Sequence, residues 1–152
     1  ALAYATFVSE VIRALLPEGV ADTAFFDKIA AILTAFETRN PRVTALAAVL
    51  QTLAAAGLGQ SYASCLHCGA AITGDAFFHA REGGALCAAD ATDFSEELRL
   101  LLVALEQLDW ANPAPLQLRG GTLMAAESVV LAHVQELVGH PLRSLAFLAQ
   151  IG

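Results

Sequence analysis

Positive charge is scarce in this sequence. Lys and Arg total 8 against 15 Asp and Glu, a formal net charge of −7, and Lys28 is the only lysine. Phosphate binding needs clustered Lys and Arg, and here the basic residues are scattered, which argues against nucleic-acid binding by this segment alone. Charge of either sign is thin: 15% of residues are charged and 57% are hydrophobic. Such a chain can bury a large core and keep an apolar surface for a partner. The cysteine count is 3, an odd number. With a Cys-x-x-Cys pair among them, this excludes a secreted disulfide framework and points to a reducing cytoplasm and a metal. Positions 43–74 contain no Asp, Glu, Lys or Arg. The apolar part, VTALAAVLQTLAAAGL, is nevertheless shorter than the roughly 18–20 residues of a membrane span, and Thr44, Gln51 and Thr52 interrupt it. A helix buried in protein, with no membrane contact, is the expectation. The opening residues ALAYATFVSE lack a basic n-region, so no secretory signal is read there. There is also no initiating Met, and the helical pattern begins at residue 2. An N-terminal part of the natural protein is therefore expected upstream.

Catalytic signatures are missing too. Gly83-Gly84 stands without the Lys of a phosphate loop, no GxSxG elbow occurs, and no helical His/Glu metal-hydrolase motif is present. An enzyme is poorly supported. His133 and His140 read as a helix-face and a helix-end histidine, and Trp110 as a packing anchor at a helix end.

What is present is helical periodicity. Leu2 to Leu16 carries Phe7, Val8, Val11, Ile12, Leu15 and Leu16 at helical spacing, and Pro17-Glu18-Gly19 ends it. A second helix starts near Asp22 or Thr23 and is expected to bury Phe25, Phe26, Ile29, Leu33 and Phe36. Pro41 suits the first turn of a third helix, carrying Leu46, Val49, Leu50 and Leu53 among alanines. Small residues on several faces let neighbours approach, so this helix is expected at the centre, ending at Gly57 or Gly59. AFFH (76–79) and ALC (85–87) suit a short hairpin around the RxGG turn. Asp93 with Glu96 reads as a capping box opening a helix to about Leu108, with Leu98, Leu101, Leu102, Leu105 and Leu108 on one face. Asn112-Pro113-Ala114-Pro115 is a linker. A helix from Thr122 to Val138, burying Val130, Leu131, Val134 and Leu137, and a short one after Pro141 close the chain. The expected fold is all-α: a helical bundle with a small zinc-ribbon-like insert, holding a short β-hairpin, between the third and fourth long helices.

The cysteines carry the sharpest signal. Their spacing is Cys65-x2-Cys68-x18-Cys87-x2-Asp90. A two-residue gap turns both sulfurs of a pair inward, and a gap of about 15–20 residues between pairs is the usual ribbon spacing. Zinc takes four ligands in a tetrahedron. Cys65, Cys68 and Cys87 supply three, and Asp90 stands where the fourth is expected, with His79 and His67 as alternatives. The competing reading is that the cysteines are small hydrophobes and no metal binds. A catalytic zinc with an open water position is less well supported, because the segment reads as a staple rather than a cleft.

Taken together, four features resemble the C-terminal part of the RecO family of bacterial recombination mediators. They are Ala3-Tyr4-Ala5-x-Phe7-x-x-Glu10; Ala56-Gly57-Leu58 leading into Cys65-x-x-Cys68-Gly69; Phe77-Phe78 followed by Gly83-Gly84-x-Leu86-Cys87; and Gly139-His140-Pro141-Leu142-Arg143-Ser144-Leu145-x-Phe147-Leu148. The likeness spans nearly all of the chain. It implies a non-catalytic protein of DNA repair and recombination, located in the cytoplasm with the nucleoid. Residues 1–60 and 93–152 would form the helical domain and 61–92 a zinc-finger-like insert, with an OB-fold upstream. Family members that bind zinc usually carry a fourth Cys, sometimes a His, where this chain has Asp90. The implied partners are RecR, the acidic, Phe-terminated tail of single-stranded DNA-binding protein, and single- and double-stranded DNA, the last mainly through the upstream domain. An apolar groove flanked by cations would take such a tail. Arg42 is the first candidate cation, with Lys28 and Arg39 behind it. The main competitor is a zinc-stapled helical regulatory or adaptor module unrelated to repair.

Overall fold

The computed structural model describes residues 1–16, 23–79, 83–87, 95–112, 115–116 and 118–149. Among these residues the chain forms helices α1 (Leu2–Leu15), α2 (Thr23–Thr38) and α3 (Pro41–Ala55), strands β1 (Phe77–His79) and β2 (Gly84–Leu86), then helices α4 (Glu96–Glu106), α5 (Gly120–Val138) and α6 (Arg143–Ala149). This is the all-α bundle with a hairpin insert that the periodicity predicts. Pro17, Glu18, Gly19, Asp22, Asp90, Asp93, Pro113 and Ala114 lie outside the described residues, as does the side chain of Phe147.

Helix α3 is central, and its sequence explains why. Asn40 accepts hydrogen bonds from the Arg42 and Val43 amides, and Pro41 occupies the first turn, where no donor is needed. Every residue from Val43 to Leu53 is buried, Thr44, Gln51 and Thr52 included. Alanines at positions 45, 47 and 48 leave room for α1, α2, α4 and α5 to pack on different faces. Helix α4 buries Leu98, Leu101, Leu102 and Leu105 of its expected face, and Leu108, two residues past its end, is buried as well.

Three expectations are corrected. Helix α2 buries Ile32, Ala35 and Phe36, while Phe26 is 70% and Leu33 48% exposed. Its apolar residues surround the helix, so periodicity alone could not choose the face that meets α3. Helix α4 is capped by Ser95, whose hydroxyl accepts from the Leu98 amide, and Glu96 is its first residue, not the third as a capping box would have it. Glu96 accepts instead from the Gly74 amide, and Asp75 accepts from the Glu96 amide, so the insert's own loop completes the helix start. Helix α5 includes Gly120 and Gly121 and buries Leu123, Ala126, Val130, His133 and Val134, while Leu131 is half-buried and Leu137 exposed.

The end of the chain is held by its beginning. The Glu10 carboxylate of α1 accepts from the Arg143 amide, the Ser144 amide and the Ser144 hydroxyl, filling the open first turn of α6. Burial raises the Glu10 carboxyl, but the Ser144 and Arg143 hydrogen bonds and the Arg143 charge outweigh it. The net shift is below the ordinary value of 4.5. A depressed carboxyl contributes stability above its unfolded pKa and loses it as pH falls through the folded value. Counting the lost hydrogen bonds and discounting them for the solvent that reaches this site, Glu10→Ala is expected to cost about 1 kcal/mol at neutral pH. In urea titrations that gap should close as the solution is acidified below 4.5.

Candidate metal centre and partner pocket

The insert is built on short backbone ties. An antiparallel bridge between Ser64 and Ala71 brackets the first cysteine pair. Cys65 N–H donates to the Ala70 carbonyl at 2.8 Å, and Gly69 N–H donates back to the Cys65 carbonyl at 2.9 Å. Gly69 has φ of 72°, a left-handed conformation that a side chain would strain. This knuckle sits on the hairpin. Leu66 N–H donates to the Ala85 carbonyl at 3.0 Å, and Ala85 N–H to the Ser61 carbonyl at 2.7 Å. The hairpin pairs Phe77 with Leu86, Phe78 with Ala85 and His79 with Gly84, as expected, and leaves Cys87 just beyond β2. Tyr62, buried, stacks on Phe78 with centroids 6.3 Å apart. At Gly84 an added Cβ would lie 2.9 Å from the Ser61 carbonyl oxygen and from Leu66, so the knuckle approaches the strand at a distance only glycine permits.

These ties bring the three sulfurs together. The Sγ atoms of Cys65, Cys68 and Cys87 all lie within 4.8 Å of one another, with Cys68 and Cys87 3.5 Å apart. Thiolates about 2.3 Å from a tetrahedral zinc would stand about 3.8 Å apart, so the donor set fits such an ion. Backbone N–H groups of Cys87, Cys68 and His67 point at the Cys65 sulfur and pull its thiol down to about 6. Cys87 is pushed up to about 11, chiefly because it shares protons with Cys65 and then with Cys68. One thiolate is thus ready at neutral pH, and a metal would displace the remaining protons. His67 and His79 do not belong to this cluster, and His79 instead tilts against Phe77 at 6.3 Å. Asp90 lies outside the described residues.

His133 does more than sit on a helix face. It is buried, and a Cβ on Gly83 would fall 2.5 Å from its ring carbon Cε1, so the hairpin turn rests directly on α5. Gly83 also has φ of 71°. Gly83→Ala should destabilise the protein by about 1–3 kcal/mol. His133→Ala in the same chain should recover the packing part of that loss in urea unfolding.

The three candidate cations part company. Arg42 is engaged: its Nε–H donates to the Tyr4 hydroxyl at 3.1 Å and lies 3.3 Å from the Glu127 carboxylate, joining α3 to α1 and α5. The Tyr4 hydrogen bond is the main cause of its raised pKa. Lys28 borders a cavity of about 440 Å³ that also presents Glu106 and Asp109. Arg39 borders an apolar cavity of about 270 Å³ lined by Val43, Thr44, Leu108, Pro115, Leu116 and Leu118. Its guanidinium donates to the Trp110 carbonyl at 2.9 Å and lies 6.0 Å from the centre of the indole ring. Trp110 is fixed in turn: its Nε1–H donates to Gln51, whose amide donates to the Leu108 carbonyl. The buried Thr44 hydroxyl has no hydrogen-bond partner among the described residues. Sequence reasoning could not find this arrangement, because Arg39 and Trp110 are 71 residues apart.

The fold and site define an all-α domain carrying a cysteine knuckle that could hold a metal ion. No helix among the described residues is long and apolar enough to cross a membrane. The family model for the recombination protein O C terminal matches residues 1–146, and the chain belongs to that family. It is 36% identical over 133 residues to the DNA repair protein RecO of Anaeromyxobacter sp. strain K, covering 86% of this chain and 50% of the relative. It is 30% identical over 159 residues to that of Syntrophotalea carbinolica, covering 99% of this chain and 61% of the relative. The chain thus spans about half to three fifths of the curated relatives' length. No solved structure matches it.

Proposed function

We propose that this chain is the partner-binding and structural part of a DNA repair and recombination mediator, acting by binding rather than by catalysis in the cytoplasm, at the nucleoid. The full-length protein would work with RecR and single-stranded DNA-binding protein to load recombinase and anneal strands, with single- and double-stranded DNA held mainly outside this chain. Membership in the family supports this role over a module unrelated to repair. Zinc would be structural, joining the knuckle to the hairpin through Cys65, Cys68 and Cys87, with Asp90 as the fourth ligand. When bound, it would supply a fixed link between the two cysteine-bearing segments.

The observation that carries the partner reading is the Arg39 cavity. At about 270 Å³ it lies below the roughly 300–1,000 Å³ of small-molecule sites and suits a single side chain. Its walls are apolar and a guanidinium stands at its edge. That matches an acidic tail ending in Phe: the ring enters the pocket and the carboxylate meets Arg39. The Lys28 cavity is disfavoured for such a tail, because Glu106 and Asp109 would repel it. The test is fluorescence anisotropy of a labelled acidic peptide ending in Phe, with the full-length protein. Saturable binding that weakens with salt, and that disappears when the terminal Phe is removed, is expected. Absence of binding, or binding indifferent to that Phe, contradicts the reading.

A further inference from the structure

The three cysteines are not equivalent. Cys65 is buried, with three backbone N–H groups directed at its sulfur, while Cys68 and Cys87 are exposed with their sulfurs 3.5 Å apart. Cys68 ends the knuckle turn and Cys87 follows the hairpin, so a bond between them would join the same two segments that a metal would join. Cys65 is the one other cysteine in the chain, and although its sulfur lies within 4.8 Å of both, its burial keeps it from the solvent that reaches Cys68 and Cys87.

We propose that Cys68 and Cys87 form a peroxide-sensitive dithiol, whose oxidation makes a disulfide in place of the metal link. Written from Cys68, its sulfur attacks one oxygen of hydrogen peroxide and the O–O bond breaks. Hydroxide leaves and takes up a proton as water, giving a sulfenic acid on Cys68. The Cys87 sulfur then attacks the Cys68 sulfur, the S–S bond forms, the S–O bond breaks, and hydroxide leaves to become a second water. In sum, two thiols and one peroxide give one disulfide and two waters; the sulfurs are oxidised and the peroxide is reduced. A bound ion loses two of its ligands in this step and is released, while Cys65 keeps its thiol. The metal-release arm rests on the zinc reading above; the disulfide itself does not.

The test uses the reduced full-length protein, metal-free and zinc-loaded, treated with hydrogen peroxide. Peptide mapping under non-reducing conditions should show a Cys68–Cys87 link in both forms. A chelating dye should register release of zinc in proportion to the link, and a thiol reductant should reverse it. Cys65→Ser should still form the link, and Cys68→Ser should not. A link involving Cys65, cross-linked dimers, or separate over-oxidised cysteines with no link would overturn the proposal. So would a zinc-loaded protein that keeps its thiols and its metal under peroxide that oxidises the metal-free form. A reduced protein that never takes up zinc defeats the zinc reading alone, and the mapping on metal-free protein still decides the disulfide.

Discussion

Cys65→Ser should lower zinc affinity by more than about 100-fold in a chelator competition. Changing a residue that merely hydrogen-bonds to a metal ligand already costs about 10- to 100-fold, and here a ligand itself is lost. The serine oxygen is harder than sulfur, sits on a shorter bond, and stays protonated at neutral pH. The backbone N–H groups of Cys87, Cys68 and His67 that favour the Cys65 thiolate would be left facing a neutral hydroxyl. Wild-type protein stripped by a chelator should show the same lowered melting temperature as the variant. The zinc-loaded protein should also release its metal on acidification. In the metal-free cluster Cys65 lies at about 6 and Cys87 at about 11, so protons compete with the metal for the sulfurs increasingly as the pH falls. A melting temperature insensitive to chelator would mean that the backbone ties hold the insert without a metal.

Arg39→Glu should weaken binding of an acidic, Phe-terminated peptide by at least about 10-fold at low salt, because a paired cation is replaced by a like charge. Arg39→Gln should weaken it less and serves as the control for folding, since Arg39 also donates to the Trp110 carbonyl. Arg42→Glu should act the other way round. It breaks the Tyr4 hydrogen bond and sets a carboxylate beside Glu127, so stability falls while peptide affinity changes little. Equal binding losses for Arg39→Glu and Arg42→Glu would mean that general charge, rather than the pocket, attracts the tail.

The contrast between these arginines shows where a sequence stops informing. Arg42 stands one residue into α3, an inviting place for an anion, and nothing nearby in the chain reveals that Tyr4 and Glu127 converge on it. Periodicity does identify elements whose apolar residues leave one choice. The buried stripe of α4 and the long uncharged run of α3 were legible because their faces are defined by composition. Helix α2 was not, since Phe26 and Leu33 are as greasy as the buried Ile32 and Phe36. The cysteine spacing announced the knuckle, because short-range geometry brings paired sulfurs together. It could not announce that Gly83 rests on His133 or that Glu10 caps the start of α6. Those contacts depend on the tertiary arrangement, as does the place of Arg39 beside Trp110.

The most direct test of the binding role is a heteronuclear NMR titration of the full-length protein with an acidic peptide ending in Phe. Shifts are expected to centre on Val43, Thr44, Leu116 and Leu118 around the Arg39 cavity, with Lys28 and Glu106 little moved. Shifts centred on the cavity beside Lys28 and Glu106, or none anywhere, would contradict that role.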